Sequence, residues 1–415
     1  MQLGIIADDL TGAVMIAGAI EAEGLAAPVV LDGGPPEPSG SGIAIYATRA
    51  RLAPAAEAVA EVARLARRLD AAGCAQVAYK VGATFDSTDA GNIGPVADWL
   101  AARYGQRPLL MSAGLPRLGI TVHQGYLFYR GRLVSESIKR LDPVTPMSDP
   151  DLVRSLGRQT RARVALLAHR WLAAGFEAAG TELQRLVAAG AELVLMDCSD
   201  DADAATGARL AEADRATLGS DAHIVALALR RGIRAEAPVP VHLVDGPGAV
   251  LVGSVGPVAQ AQVAAFAEKA TVFTLDVADE RPEAALVAEA LDWAAPRIGA
   301  HPLAIATRSS PEDVARAQDR HGAMGAARRA ERILAGIAAG LVDRGVRRLV
   351  VSGGETSGAV AAALGIARVR ALPESTLGAG FCVAEAPIPL SLFLKPGKLG
   401  TDAILGEALA SMRDR

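Results

Sequence analysis

The chain has 415 residues and a formal net charge of −4, which is longer than one hydrophobic core usually supports and offers no basic tail or stripe for nucleic acid. Aromatics make up only 4%, and Cys74, Cys198 and Cys382 match neither a disulfide nor a zinc spacing, as expected of a reducing cytosol. The opening MQLGIIADD lacks the basic and apolar regions of a signal peptide, and no stretch reads as a membrane span, so a cytoplasmic protein without a membrane partner is expected.

In chain order, Leu3–Ile6 reads as a short buried strand and Thr11–Glu23 as an alanine-rich helix. Strands follow at Ile43–Ala47 and Gln76–Lys80, with a helix over Pro54–Ala71 between them and another at Ile93–Tyr104. Pro108–Ser112, Val164–Leu167 and Leu193–Asp197 add strands, and this alternation predicts a mostly parallel sheet covered on both faces. GGPPEPSGSG (Gly33–Gly42) is a loop, and YLFYRGRLV (Tyr126–Val134) reads as a hairpin turning at Arg130-Gly131.

A second unit follows the proline-bearing PVPVHLVDGPG (Pro238–Gly248). Its strands are expected at Val250–Val252, Thr271–Leu275, Leu303–Ala306 and Leu349–Val351. Helices are expected at Pro257–Lys269, with proline in the first turn, and at Ala326–Arg344. The end, SLFLKPGKLGTDAIL, reads as strand, glycine turn and helix. The fold class is therefore α/β: two α/β domains, 1–237 and 238–415, with mostly parallel or mixed sheets and an interdomain active-site cleft.

Small and acidic residues gather where strands end and helices begin, which is where open α/β sheets hold ligands. In ADDLTGA, Asp8 and Asp9 follow the first strand directly. Paired buried carboxylates repel, so one should meet a cation or a hydroxyl, while Asp9 or Thr11 can cap the helix. Gly12 permits close backbone approach. Lys80 ends the next strand, followed by Asp86, Ser87, Thr88 and Asn92; this mixture of cation, hydroxyls, amide and carboxylate suits a polyhydroxy acid. Gly91–Gly94 opens a helix whose amides attract an anion, and Arg49 offers a bidentate partner for a carboxylate. For His123, an ordinary structural hydrogen bond competes evenly with ligand contact.

In SGGETSGAV, Gly353 and Gly354 turn the chain, Glu355, Thr356 and Ser357 precede the helix, and Gly358 keeps its first turn open. Backbone amides there can cradle phosphate oxygens. GSVGP, with Ser254, and KPGKLG, with Gly397, are two further glycine turns in the same unit. No Walker motif occurs, and tight strand–helix packing alone would give similar glycines.

With these segments in view, the chain resembles the four-carbon acid sugar kinases, and more closely their 3-oxo-tetronate 4-kinase branch. The resemblance runs through GIIADDLTGA, TFDSTDAGNIGPVADWL, TVHQGYLFYRGRLVSES, PMSDPDLVRSLGRQT, VVSGGETSGAV and LKPGKLG. It implies ATP-dependent phosphorylation of the terminal hydroxyl of a four-carbon 3-oxo acid, with substrate on the first domain and ATP on the second; Mg2+ is expected to bridge the ATP phosphates, because the reaction needs charge neutralised on the phosphoryl oxygens. Asp8, Arg49, Lys80 and the Asp86 loop match the substrate side; Ser254, Gly354–Ser357 and Gly397 match the nucleotide side. Asp8 would orient or deprotonate the C4 hydroxyl, with Asp86 as the alternative base, and Arg49 and Lys80 would hold the carboxylate and keto oxygen. The sequence departs from the family pattern at Gly82-Ala83, at Met111–Gly119, at Leu218–Ala226 and in GSVGP, which leaves the exact acid open. A kinase for threonate or erythronate, an acid-sugar hydrolase or aldolase, and a non-catalytic sugar-acid or nucleotide sensor remain alternatives. A small-molecule acid sugar is the expected partner, and a homodimer is left open.

Overall fold

The computed structural model describes residues 1–31, 34, 40–142, 144–234 and 241–413. It divides into two compact units: Met1–Ile16 with Glu23–Ala237, and Ala17–Ala22 with Pro238–Arg415. The expected boundary near residue 238 lies outside the described residues, as does most of the Gly33–Gly42 loop.

From its start the chain runs through β1 (Leu3–Ala7), α1 (Leu10–Ala22, of which Ala17–Ala22 is grouped with the second unit), β2 (Val29–Val30), β3 (Ile43–Ala47), α2 (Ala55–Ala71), β4 (Gln76–Lys80), α3 (Ile93–Tyr104) and β5 (Leu109–Ser112). After β6 (Ile120–His123), β7 (Tyr126–Tyr129) and β8 (Arg132–Leu133) come α4 (Leu152–Gly157), β9 (Val164–Leu167), α5 (His169–Ala173), α6 (Phe176–Ala188), β10 (Leu193–Met196), α7 (Asp201–Ala211), β11 (Ala216–Gly219) and α8 (Asp221–Arg231). Eight strands pair in parallel in the order β2-β3-β1-β4-β11-β5-β10-β9. The strands LGIIA, QVAYK, LLMS and LVLM are buried along their whole length, as the unbroken apolar runs of a sheet covered on both faces require. Helix α2 turns Ala58, Val62, Leu65, Ala66 and Leu69 inward at helical spacing. The expected hairpin is present, and β6 extends it to three antiparallel strands. Its two turns, Gln124-Gly125 (φ 52° and 79°) and Arg130-Gly131 (φ 51° and 79°), each use two successive left-handed residues, the geometry that tight hairpins favour.

The second unit contains β12 (Gly248–Val252), α9 (Pro257–Ala267), β13 (Thr271–Leu275), α10 (Glu283–Ala294), β14 (Leu303–Thr307), α11 (Pro311–His321), α12 (Ala323–Asp343), β15 (Arg348–Ser352), α13 (Gly354–Ala363), β16 (Arg368–Ala371), β17 (Phe381–Ala384), β18 (Leu390–Lys395) and α14 (Ile404–Ser411). Strands β13-β14-β12-β15-β18 are parallel neighbours, and β17 and β16 continue the sheet antiparallel. One face, carrying Val250, Val252, Val350 and Phe393, packs on Ala259 and Phe266 of α9 and on Ile404 and Leu405 of α14. The long helix expected from Ala326 starts at Ala323, and Gly322 (φ 73°) separates it from α11. No helix among the described residues is long and apolar enough to cross a membrane.

Candidate functional site

Three neighbouring strands of the first unit deliver charged side chains at their carboxyl ends. The chain leaves β1 at Asp8 and Asp9, which are 4% and 3% exposed. Asp9 Oδ1 accepts from Gly12 N at 2.7 Å and so caps α1, leaving the buried Thr11 hydroxyl without a hydrogen-bond partner. Asp8 accepts a two-point clamp from Arg51, from Nε at 2.9 Å and Nη2 at 2.8 Å, and a third bond from Gly82 N at 3.2 Å. Arg51 Nη1 also lies 2.8 Å from Asp9 Oδ2, so one guanidinium serves both carboxylates.

Burial raises the pKa of the Asp9 carboxyl, Arg51 pulls against that rise, and Asp8 adds to it. Burial also opposes the charge of Arg51, but Asp8 and Asp9 outweigh it and hold the guanidinium well above its ordinary pKa. The arginine joined to the carboxylate pair is thus Arg51, whereas Arg49, the residue singled out from sequence, is exposed. Asn92 accounts for the position of Arg51. It stands at the amino end of α3 but makes no side-chain cap. Its amide donates instead to the carbonyls of Ala50, Arg51 and Ala53 at 2.7, 3.3 and 3.0 Å, pinning the turn that carries Arg51.

Lys80 ends β4 and is 2% exposed. Its ammonium lies 3.5 Å from Asp221 Oδ2, beyond the end of β11. A Cβ on Gly12 would stand 2.1 Å from Lys80 Nζ and 2.6 Å from Asp9 Oδ1, so this glycine makes room for an internal cation. Asp221 stands where the family pattern has a small residue, a departure visible in the sequence, but it is not among the site residues expected from sequence.

The Asp86 loop lies beside this group, since a Cβ on Gly82 would be 3.5 Å from both Arg51 Nη2 and Asp86 Oδ2. Asp86 accepts from Thr84 Oγ1 at 2.9 Å and pairs with the buried Lys139. Gln159 braces the rest of the loop, donating to Ser87 Oγ at 2.9 Å and Thr88 O at 2.7 Å while accepting from Gly94 N at 3.0 Å. Ser87 and Thr88 line a 440 Å³ pocket together with Met147, Asp149, Arg158 and Gln159. Asp8 and Lys80 do not line that pocket; the chemistry-bearing groups meet instead in the charge cluster at the ends of β1, β4 and β11.

His123 lies elsewhere. Its Nδ1 is 2.9 Å from Ser199 Oγ, just past β10, and β10 stands four strands from β1, about 19 Å at ordinary strand spacing. Its ring is 5.3 Å from that of His169. Asp203 raises the pKa of His169 by accepting its Nδ1 hydrogen bond at 2.8 Å.

In the second unit the three glycine turns follow three adjacent parallel strands, β12, β15 and β18. Gly253 N donates to Ser352 O at 3.0 Å and Gly353 N to Lys395 O at 2.9 Å, which ties the turns in series. A Cβ on Gly253 would meet Thr356 Oγ1 at 2.1 Å, and one on Gly397 would meet Ser254 Oγ at 2.0 Å. Gly353 (φ 127°) precedes α13 without a side-chain cap. The first-turn amides of Gly354, Glu355 and Thr356 therefore stand at an uncapped helix start, the setting that suits phosphate oxygens. Ser357 Oγ is committed to Gly353 O at 2.8 Å, and Thr356, Ser357 and Gly358 are buried. Among the described residues no group of three His, Cys, Asp or Glu side chains could hold a metal.

The family described as a sugar-binding N-terminal domain matches residues 3–227, and that described as a nucleotide-binding C-terminal domain matches residues 249–405. The chain is similar to the 3-oxo-tetronate kinase of Methylobacterium radiotolerans, 38% identical over 99% of each chain. It is likewise similar to that of Cupriavidus necator, 37% identical over 99% of this chain and 97% of the relative. Among solved structures, a Salmonella typhimurium LT2 protein provisionally described as a tRNA synthase superposes with a TM-score of 0.81 at 30% identity, covering 99% of both chains.

Proposed function

The chain belongs to the 3-oxo-tetronate kinase family, and from that premise we propose that it transfers the terminal phosphoryl group of ATP to the C4 hydroxyl of a four-carbon 3-oxo acid. The observation that carries this reading is the end-to-end match to 3-oxo-tetronate kinases, with 99% of the chain aligned. A clamped carboxylate at the strand ends of the first unit and a series of glycine turns in the second support it.

In this reading Asp8 orients the C4 hydroxyl. Its Oδ2 already accepts twice and its Oδ1 once from Arg51 and Gly82, leaving Oδ1 a lone pair for a substrate hydroxyl. Holding that hydroxyl in line is one of the two main parts of phosphoryl-transfer catalysis, the stabilisation of charge on the phosphoryl oxygens being the other. Asp86, fixed by Thr84 and Lys139, is the alternative acceptor of the proton. Arg51 holds Asp8 and Asp9 in place, Lys80 supplies positive charge for the acid, and Arg49 and the Ser87–Asn92 loop complete its binding. The amides of Gly354–Thr356, with Ser254 and Gly397, bind the phosphates. Bound ATP with magnesium would supply the phosphoryl group and neutralise charge on its oxygens. Three unpaired buried cysteines support a reducing, cytoplasmic setting.

The test is a panel of 3-oxo-tetronate, threonate and erythronate, each incubated with ATP and magnesium and read by product mass. A monophosphorylated 3-oxo acid is the expected product. ATP-independent cleavage, or binding without any phosphorylated product, would overturn the proposal.

A further inference from the structure

Beneath the glycine turns of the second unit lies a cation that the roles above do not use. Lys395 is the last residue of β18 and is 3% exposed. In the alternation of the strand it shares a face with Phe393, so it sits at the end of the apolar layer formed by Val252, Phe393 and α9. Its Nζ donates to Gln262 Oε1 at 2.9 Å and to Ser352 Oγ at 3.0 Å. Both acceptors are fully buried and neutral. Both bonds need only a donor, so a neutral amine keeps them, more weakly than the ammonium would, and neither acceptor brings a compensating negative charge. No carboxylate among the described residues pairs with it, and burial alone pushes its pKa down to about 7. The elements packed around it carry Arg348, Glu268, Glu355, Cys382, Lys398 and Glu407.

The connections of Lys395 lead to the phosphate turns. Its carbonyl accepts from Gly353 N, and its partner Ser352 immediately precedes that glycine. Gln262, on α9, donates from Nε2 to Leu399 O at 3.0 Å and Thr401 O at 3.1 Å, fixing the loop that contains Gly397. A buried ammonium without a counter-ion is costly, and an anion bound at these turns would remove that cost.

We infer that Lys395 is a positioning residue of the nucleotide site: its buried ammonium is the countercharge behind the glycine turns, and it takes up a proton when an anionic nucleotide binds. This rests on the reading of the second unit as the nucleotide-binding domain.

Isothermal titration calorimetry of the full chain with ADP at pH 8, in two buffers of different ionisation enthalpy, tests it, because the phosphates of ADP are already ionised there. The expected result is uptake of close to one proton per ADP bound. Affinity should fall about tenfold per pH unit between roughly pH 7.5 and 8.5, as the free enzyme loses the proton that the complex keeps. Lys395→Met preserves the apolar stem; it should abolish the uptake, flatten the pH dependence and weaken ADP at about pH 7.5 by at least tenfold. Lys395→Arg keeps a charge that does not titrate in this range and should bind ADP without proton uptake. Binding of ADP by the unaltered enzyme without proton uptake, or uptake retained in Lys395→Met, would overturn the inference. If neither ADP nor ATP binds the unaltered enzyme, the functional reading itself fails. If Lys395→Met does not fold, the proton count of the unaltered enzyme decides alone.

Discussion

Replacing Asp8 with asparagine keeps the shape of the side chain but removes one of the two charges that Arg51 balances. If Asp8 orients the acceptor hydroxyl, kcat/KM should fall by about a hundredfold or more, the usual scale for losing a group that acts in the transition state. ADP affinity, measured separately by calorimetry, should stay within about twofold, because the glycine turns of the second unit are untouched. A second titration lies away from the chemistry. Burial pushes Asp214, before β11, up to about 7, and Gln106 offsets only part of that rise. Its folded pKa is therefore above the unfolded value, and its penalty grows as pH rises from about 4 through 7. Asp214→Asn should raise stability by about 1 kcal/mol at pH 8 after allowance for solvent screening, and by nearly nothing at pH 4, read from urea midpoints. Asp8, Asp9 and Lys80 were legible in the sequence because each closes an apolar strand, and strand ends are where open sheets place polar groups. Arg51 was not. The choice between Arg49 and Arg51 is made by Asn92, whose bonds reach back 39 to 42 residues, and local pattern carries no record of such a contact.

At the scale of elements, α3 depends on a glycine for its approach to the strap that follows α4. A Cβ on Gly94 would lie 2.7 Å from Gln159 Cβ and 2.9 Å from the Gln159 carbonyl atoms. Backbone cannot swing aside as a side-chain tip can, so Gly94→Ala should cost about 1–3 kcal/mol, the range of overpacked cores. It should also release Gln159 from Ser87 and Thr88, raising the KM for the acid more than it lowers kcat. A thermal melt reads the first effect and steady-state kinetics the second; an unchanged KM beside a lowered melting temperature would confine Gly94 to packing. Long elements with clear periodicity, such as α2 and the apolar strands β1, β4 and β10, were readable. The four-residue β11 was not, since ATLG lacks an apolar run. Its central place between β4 and β5 comes from pairing with residues more than a hundred positions earlier. Missing β11 meant missing Asp221, the partner of Lys80.

For the whole molecule, the division of labour between the two units is open to direct measurement by amide hydrogen exchange. Nucleotide alone should slow exchange in 253–256, 353–358 and 395–400, where amides lie in turns, in the first turns of α13 and at the end of β18. A four-carbon 3-oxo acid alone should slow it in 8–12, 48–53 and 80–92. The expected protection follows mass action: at a free ligand concentration of a hundred times Kd, a site that opens only when empty gains about 2.7 kcal/mol. The glycine turns were legible as turns, but their linkage was not. It depends on β12, β15 and β18 lying side by side, an order that inserts β15, almost a hundred residues later in the chain, next to β12. That adjacency allows one strand-end carbonyl to hold the next turn, from Lys395 to Gly353 and from Ser352 to Gly253. Protection by nucleotide should accordingly spread over all three turns together, even where a single turn touches the phosphates. Protection confined to one turn would contradict the coupling, and nucleotide protection confined to 8–12 and 80–92 would reverse the assignment of the two units.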